Sequence, residues 1–551
     1  MMRATWRQWA TALVALALLN FGLTFDSLWP TLWIRPRSDL SIELAAVVLA
    51  LVLAAAWFGP PSRGVLAGLA IGFTVLVLGR YVEVTARELY GRPINLYYDV
   101  PHVPRVIAMF AEAAPRWLTL AAVAGVAVGL VALYALARWA WARVDAALAV
   151  PVSRRAITLA AAGMCAAYPF ASGGFAAPVS GSFARQGMLL AQALTGNGPD
   201  LGASPDFSGG LERIQGADVF VVFIESYGAA TYDRPALARR VATGREALAA
   251  AAAASGRAIA SAFVESPTFG GASWLAHASL LAGVEVRGGD TYNLLTMQRR
   301  DTLVHAFARA GYRTVALMPG LRQDWREGVA LYGFDTVYDA GRLDYRGPAF
   351  GWWRIPDQYA LGKLDRVEVA QSARQPLFVF FPTITSHAPF RPMPPYQPDW
   401  ARLLSDAPYD AAVVQALQSE RADWKDLDPA YADAIGYGLA SLAGYLRERP
   451  GADFVLIVLG DHQPPAGVAG EQPSWDVPVH VIASRRAIVD ELIASGFTNG
   501  VDPQRTPIGR THALTPLLLR AFGSDEQPGV HVAGSGAGVE RPQPGANRVG
   551  L

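Results

Sequence analysis

Five apolar stretches crowd the first third of this 551-residue chain, at about 9–25, 41–59, 64–82, 117–137 and 156–172. Each is near the ~20 residues that a helix needs to cross the hydrocarbon of a bilayer. A cleavable signal peptide is a single short stretch with a small-residue cleavage site after it, whereas these follow one another with little room for folded domains between them. The sequence therefore predicts an N-terminal bundle of about five membrane-spanning helices. Asn20 interrupts the first stretch, and Pro169 with Gly173 and Gly174 shortens the last, so four or six spans remain open. An overall content of 52% apolar and 17% charged residues fits a chain part of which lies in lipid.

Arginines set the expected orientation, because short cytoplasmic loops retain positive charge. Arg3 and Arg7 precede the first stretch, Arg63 follows the second, and Arg138, Arg143, Arg154 and Arg155 face a single Asp145 after the fourth. Placing these inside puts Arg35 and Arg37 outside, where Asp39 and Glu43 partly offset them. An odd number of spans then leaves everything after about residue 175 outside the cytoplasm. The Tyr- and Pro-rich segment 81–116 is also external on this reading, with 103–113 expected as an interfacial amphipathic helix.

Four regions follow: a transmembrane domain over 1–175, a Gly/Ser/Pro-rich linker over 176–213, a second domain over 214–523, and a Gly/Pro-rich tail over 524–551 expected to be disordered. In the second domain, apolar runs such as DVFVVFIE, RTVALM, PLFVFFPTI, DFVLIVLG and VPVHVIA alternate with helical stretches at 236–254, 301–311 and 430–448. Continuous apolar strands alternating with helices predict an α/β domain with a mostly parallel sheet sandwiched by helices. The alanine run 247–254 reads as plain helix. With a net charge of +1 and no basic block interleaved with aromatics, nucleic acid is not an expected partner. The lone Cys165 excludes an intramolecular disulfide and a thiolate metal cluster.

Working residues in open α/β sheets gather where strands end. Glu225 ends one apolar run, and Asp461 with His462 ends another. Each alone reads as readily as a turn or helix cap. Together they offer two carboxylates and an imidazole, a mixed O/N set suited to Zn or Mn. Between them the glycine-rich ESPTFGGASWLAHASLLAG runs into a helix beginning near Ser273. A hydroxyl at a helix N-terminus beside a metal ion is well placed as a nucleophile on phosphorus, and it is equally a plain helix cap. Ser266 and Thr268 compete for the role in the same loop, and His277, one turn on, either faces the site or packs.

Five spans, a Glu at the first strand end, a hydroxyl after a glycine-rich loop and a late GDH together resemble, over nearly the whole chain, the lipoteichoic acid synthase type of alkaline-phosphatase-superfamily phosphotransferase. The resemblance implies an alkaline-phosphatase/sulfatase-like fold and one divalent metal ion (Mn, Zn or Mg) held by Glu225, Ser273, Asp461 and His462, with Ser273 as nucleophile. TITSHAPF is similar to the family's strand-end histidine motif and implies that His387 contacts the phosphoryl or leaving group. DWREGVALYGFD resembles its acceptor-side segment and implies that Trp325 and Arg326 line the substrate pocket. THALTPLLLRAFG resembles a late helix shared with sulfatases, in which His512 is structural. WWRIPDQYAL resembles a family turn, where Asp357 reads first as a turn or salt-bridge residue and second as a substrate contact.

The departures matter too. The synthases use threonine where this chain has Ser273, although serine occurs in related cellulose phosphoethanolamine transferases. The cysteines of lipid A phosphoethanolamine transferases are missing, and no C/S-x-P-x-R pattern of true sulfatases is present. The resemblance therefore implies transfer of phosphoglycerol or phosphoethanolamine from a membrane phospholipid to an extracytoplasmic glycan or polymer, through a phosphoserine intermediate. The enzyme is expected as a multi-pass protein of a bacterial inner (cell) membrane, with the catalytic domain periplasmic or extracellular. The alternatives are a phosphodiester or sulfate-ester hydrolase of the same fold and a non-catalytic lipid-binding membrane sensor.

Overall fold

A computed structural model describes residues 6–524, apart from 29–32, 91–93, 105–106, 109–110, 112–115, 172, 196–199, 299, 323–324, 352–353 and 471–472. The tail expected from 524 onward lies, save Ser524, outside the described residues, and only part of the helix expected over 103–113 falls within them.

Each of the five apolar stretches forms a helix: α1 (Trp6–Thr24), α2 (Ile42–Phe58), α3 (Arg63–Tyr90), α4 (Arg116–Leu148) and α5 (Pro151–Ala167). By length and composition, however, only two are suited to crossing a membrane, Arg63–Ala86 and Arg116–Leu148, while Ile42–Phe58 is apolar but shorter. Five helices stand where five spans were expected, and two of them are long and apolar enough to cross a membrane. Helix α4 runs eleven residues past the stretch read from sequence, so Arg138 and Arg143 stand on helix rather than in a loop. The continuation is favoured because Ala, Leu and Arg are good helix formers, and Arg143 lies over the Trp139 ring one turn back. Helix α5 starts at Pro151, whose missing N–H costs nothing in a first turn, and gives way at Tyr168–Phe170 to a 3-10 turn containing Pro169. The linker also holds more structure than its composition implied, an 18-residue helix α6 (Pro178–Thr195) tied to α3 by the Arg185–Glu83 ion pair at 2.5 Å.

The second domain is built on one eight-stranded sheet. Its strands are β1 (Asp218–Ile224), β2 (Ala258–Glu265), β3 (Arg313–Leu317), β4 (Thr336–Tyr338), β5 (Leu377–Pro382), β6 (Phe454–Gly460), β7 (Asp476–Ala483) and β8 (Thr498–Asn499), in the spatial order β8-β2-β7-β6-β1-β5-β3-β4. The five strands from β6 to β4 run parallel, and β7, β2 and β8 join through antiparallel pairs. The mostly parallel sheet expected from the apolar runs is present.

Period-two alternation explains why those runs are continuous. Along β1, Val219, Val221 and Phe223 enter one apolar layer and Phe220, Val222 and Ile224 enter the other, all fully or almost fully buried. One layer is covered by α7 (Pro235–Ala254), which includes the alanine run, by α9 (Asp357–Leu364) and by α10 (Asp428–Glu448). The other is covered by α8 (Ser273–Ala282) and the later helices Arg486–Ala494 and Leu514–Phe522. A sheet buried on both faces exposes only its strand ends for chemistry.

A carboxylate and imidazole cluster where the central strands end

Sheet register assembles the site. Strands β1 and β6 pair in parallel from Asp218 opposite Phe454 to Ile224 opposite Gly460, so the next residues, Glu225 and Asp461, emerge side by side with His462 beyond them. One ligand atom from each of the three lies within 4.8 Å of the others, and all three residues are buried. The turn after β1 is forced: Ser226 adopts φ +62°, a conformation costly for a residue with a side chain. It is held because Ser226 N–H donates to Asp461 Oδ1 at 2.8 Å and the Ser226 hydroxyl donates to Glu225 Oε1 at 3.1 Å.

Ser273 reaches the same point from the opposite layer. The chain passes through Gly270 (φ +64°), Gly271 (φ +148°) and Ala272 (φ +60°) before α8 begins, a left-handed run that the two glycines make possible. Out of this sharp turn the Ser273 hydroxyl donates to Glu225 Oε2 at 2.9 Å and lies 3.2 Å from His462 Nε2. The rival hydroxyls are engaged elsewhere: Ser266 donates to the Asp461 carbonyl at 2.5 Å and Thr268 to that of Gly271 at 2.6 Å. Of the three hydroxyl residues in this loop, Ser273 is therefore the one whose hydroxyl meets the side chains of the cluster.

The electrostatics show which charge the cluster favours. Burial alone would raise the Glu225 carboxyl, yet the neighbouring His462 charge holds it well below the usual range. Asp461 is pushed up by burial and then by the charge of Glu225. For His462, burial favours the neutral ring but is outweighed by Asp461 and Glu225, which raise it to about 9. Two buried carboxylates that draw a proton onto an adjacent imidazole form a site that takes up positive charge. The donor set fits a divalent cation, with hard carboxylate oxygens and a borderline imidazole nitrogen. The orientation of His462 fits as well: Nδ1 donates to the Gln463 carbonyl at 2.7 Å, so Nε2, beside the carboxylates, is the nitrogen that would give up its proton to bind a cation. Gln463 is fixed in turn, its side chain accepting from Ala230 N–H at 3.1 Å and donating to the Ser474 carbonyl at 2.9 Å.

Other residues singled out by sequence lie around this centre. His387 follows β5, and its charge also lowers Glu225. Its Nδ1 lies 2.7 Å from the Ala388 carbonyl, which can only accept, so Nδ1 donates there and Nε2 is the nitrogen left to exchange a proton with the site. His277 packs edge-on to Phe223 and Phe380 at 4.5 and 5.3 Å, its Nε2 is buried without a hydrogen-bond partner, and burial pushes its pKa down to about 3. Of its two readings the geometry matches packing. Trp325 leads into the helix Arg326–Tyr332 between β3 and β4 and stacks near Tyr332 and Phe334, at 5.7 and 6.5 Å, while Arg326 is exposed. His512 sits in the 3-10 turn Thr511–Ala513 that packs against α8.

Sequence reasoning missed two groups that hold Glu225 in place: Thr383, whose hydroxyl accepts from Glu225 N–H at 3.1 Å, and Ser386, whose hydroxyl donates to the Glu225 carbonyl at 2.6 Å. Both lie within TITSH. The only available signal was that hydroxyl residues crowd a strand end.

Comparison with known proteins places this arrangement. The model of the family Sulfatase matches residues 273–491, a segment that contains Ser273, Trp325, Arg326, His387, Asp461 and His462 and begins after Glu225. No curated protein matches the chain. Among solved structures, the chain is similar to an alkaline phosphatase superfamily protein from Vibrio parahaemolyticus, at 14% identity and TM-score 0.35 over 57% of this chain and 68% of that one. It is also similar to the lipoteichoic acid synthase LtaP from Listeria monocytogenes, at 12% identity and TM-score 0.35 over 60% and 79% of the two chains. The phosphoglycerol transferase GacH from Streptococcus pyogenes aligns at 12% identity and TM-score 0.34 over 63% and 87%. Residues 273–491 of this chain match the model of the Sulfatase family, and at that level the resemblance drawn from its motifs is borne out.

Proposed function

We propose that this protein is a membrane-anchored phosphotransferase that moves phosphoglycerol or phosphoethanolamine from a phospholipid to an extracytoplasmic glycan or polymer. The observation that carries the reading is the Ser273 hydroxyl, at the head of a helix, 2.9 Å from Glu225 and 3.2 Å from His462. Glu225, Ser273, Asp461 and His462 are the residues that would hold a single Mn, Zn or Mg ion. When bound, such an ion lowers the pKa of the serine hydroxyl and offsets phosphoryl charge.

The residues divide the chemistry as follows. Ser273 Oγ gives its proton to Glu225 Oε2, to which its hydroxyl donates at 2.9 Å, and attacks the phosphorus of the lipid diester; the Oγ–P bond forms and the bond to diacylglycerol breaks, leaving a phosphoserine diester. His387 supplies the proton to the departing diacylglycerol oxygen. An acceptor hydroxyl then gives its proton to His387 Nε2 and displaces Ser273 from phosphorus, and the released Ser273 Oγ takes its proton back from Glu225. Trp325 and Arg326 orient the acceptor.

The N-terminal helices keep the enzyme beside a donor and a product that both stay in the bilayer. Exposed Leu120, Val123, Val126 and Val131 on α4 support contact with lipid. The anchor is read as about five spans of a bacterial cell membrane, with the catalytic domain on its periplasmic or extracellular side. The test is head-group release from labelled phosphatidylglycerol and phosphatidylethanolamine by the full chain with Mn, Mg or Zn. Diacylglycerol formed only with metal and intact Ser273 supports the reading, and no release from either lipid with any of the metals contradicts it.

A further inference from the structure

His387 stands five residues beyond the end of β5, on a loop whose backbone no sheet or helix holds. Such a loop needs partners for its amides. The N–H groups of Ile384 and Thr385 both donate to one side chain, Asp357, at 2.8 Å to Oδ1 and 2.8 Å to Oδ2. The Thr385 hydroxyl closes the ring by accepting from Asp357 N–H at 3.3 Å. The far side of the loop is pinned to β1, by Thr383 N–H to the Phe223 carbonyl at 2.8 Å and by the Ser386 hydroxyl to the Glu225 carbonyl. His387 N–H then donates to the Ile384 carbonyl at 3.1 Å, inside the clamped turn.

Asp357 is 3% exposed and begins α9, and burial pushes its pKa up to about 6. The partners described for it are amides and a hydroxyl, which carry no charge. A buried carboxylate is an expensive way to satisfy uncharged groups. Asparagine would be cheaper to bury, but its single carbonyl oxygen cannot present one acceptor atom to each of two separate amides. The residue type is explained if both amides must be held.

We infer that Asp357 is a positioning residue for phosphoryl transfer: by clamping the amides of Ile384 and Thr385 it sets His387 against Ser273, without touching substrate itself. The inference rests on the proton-moving role proposed for His387. A misplacement of a catalytic group by about 1 Å can cost on the order of a hundredfold.

The experiment is a double-mutant cycle in the full chain, read as diacylglycerol release from vesicles of phosphatidylglycerol and phosphatidylethanolamine. Asp357→Asn is expected to lower kcat by about ten- to a hundredfold, with KM changed less than about twofold and metal affinity by titration unchanged. In a His387→Ala background the same substitution is expected to add nothing, because the residue it positions is gone. Thr385→Val, which removes only the hydroxyl acceptor, is expected to give a smaller loss that also vanishes in that background. If Asp357→Asn is too unstable to assay, the Thr385→Val cycle decides alone. Losses that multiply with that of His387→Ala overturn the inference, as does a loss confined to KM or to metal affinity. A fully active His387→Ala contradicts the proposed function itself, and so separates that failure from failure of the clamp.

Discussion

The two sides of the candidate site, the one proposed to hold metal and the one proposed to meet the acceptor, rest on different supports. Glu225, Asp461 and His462 follow two adjacent central strands, where the β1–β6 ladder fixes each residue against the next. Trp325 and Arg326 sit near the far edge of the sheet, at the start of a seven-residue helix between β3 and the three-residue β4. The first group brings one ligand atom from each residue within 4.8 Å of the others, while the contacts described for Trp325 are with Tyr332 and Phe334. A parallel ladder carries position from one strand to its neighbour without slack, and a short edge helix does not. The strand-end residues are therefore expected to carry the chemistry and the edge residues to tune which acceptor is used.

Ser273→Ala probes the rigid side and has the largest expected effect, a loss of kcat of about a thousandfold or more, since no other hydroxyl of its loop is turned to the cluster. Substantial remaining turnover would move the nucleophile elsewhere. His462→Gln and Asp461→Asn come next: each is expected to weaken metal binding about ten- to a hundredfold in a direct titration, and unchanged affinity would remove these residues from the ligand set.

The contrast between the two supports also explains what the sequence made legible. The ends of β1 and β6 were visible because their apolar runs are unbroken and the residues after them can bind metal. Strand β2 was missed: AIASAFVE is half alanine and serine, and small residues fill a strand packed between β7 and β8 without an apolar run to announce it. Ser266, Thr268 and Ser273 could not be ranked from composition, because the ranking depends on which backbone carbonyl each hydroxyl meets. Asp357 was read as a turn or salt-bridge residue, and its bonds to Ile384 and Thr385 make it a turn residue in a turn closed across 27 positions of sequence. No local pattern announces such a contact. The N-terminal stretches were legible as helices, but where α4 ends depended on helix propensity beyond the apolar run.

On the edge side, Trp325→Ala distinguishes packing from recognition. Half-buried against Tyr332 and Phe334, the indole is expected to stabilise the domain by about 2 kcal/mol, seen as a lower melting temperature, with KM for acceptor raised only if the ring also lines the pocket. Arg326→Ala is expected to raise that KM severalfold with melting unchanged. A kcat loss from Arg326→Ala as large as that from Ser273→Ala would erase the distinction between the two sides.

The smallest expected effect concerns pH and the sheet beneath the site. Burial, and after it the charge of Arg245, pushes the His480 pKa down from 6.5 to about 3, with Ser261 2.7 Å from Nδ1 and Tyr227 3.1 Å from Nε2. Above pH 6.5 the group is neutral folded or unfolded and contributes nothing to pH dependence. Below it the unfolded chain takes a proton that the fold refuses, so stability falls with pH, by about 2 kcal/mol at pH 5. Melting curves at pH 7.5 and 5 should show this slope in the wild type and a flatter one in His480→Asn. Equal slopes would assign the acid sensitivity to other groups.

The central claim is that Ser273 becomes covalently bonded to phosphorus. Full-length protein incubated with metal and phosphatidylglycerol or phosphatidylethanolamine vesicles without acceptor, then quenched in acid and digested, should yield a peptide spanning Ser273 that is heavier by the mass of the transferred head-group phosphate. The adduct should disappear when acceptor is added. An adduct on another residue, or diacylglycerol release at full rate with the Ser273 peptide unmodified at every time point, would contradict the account.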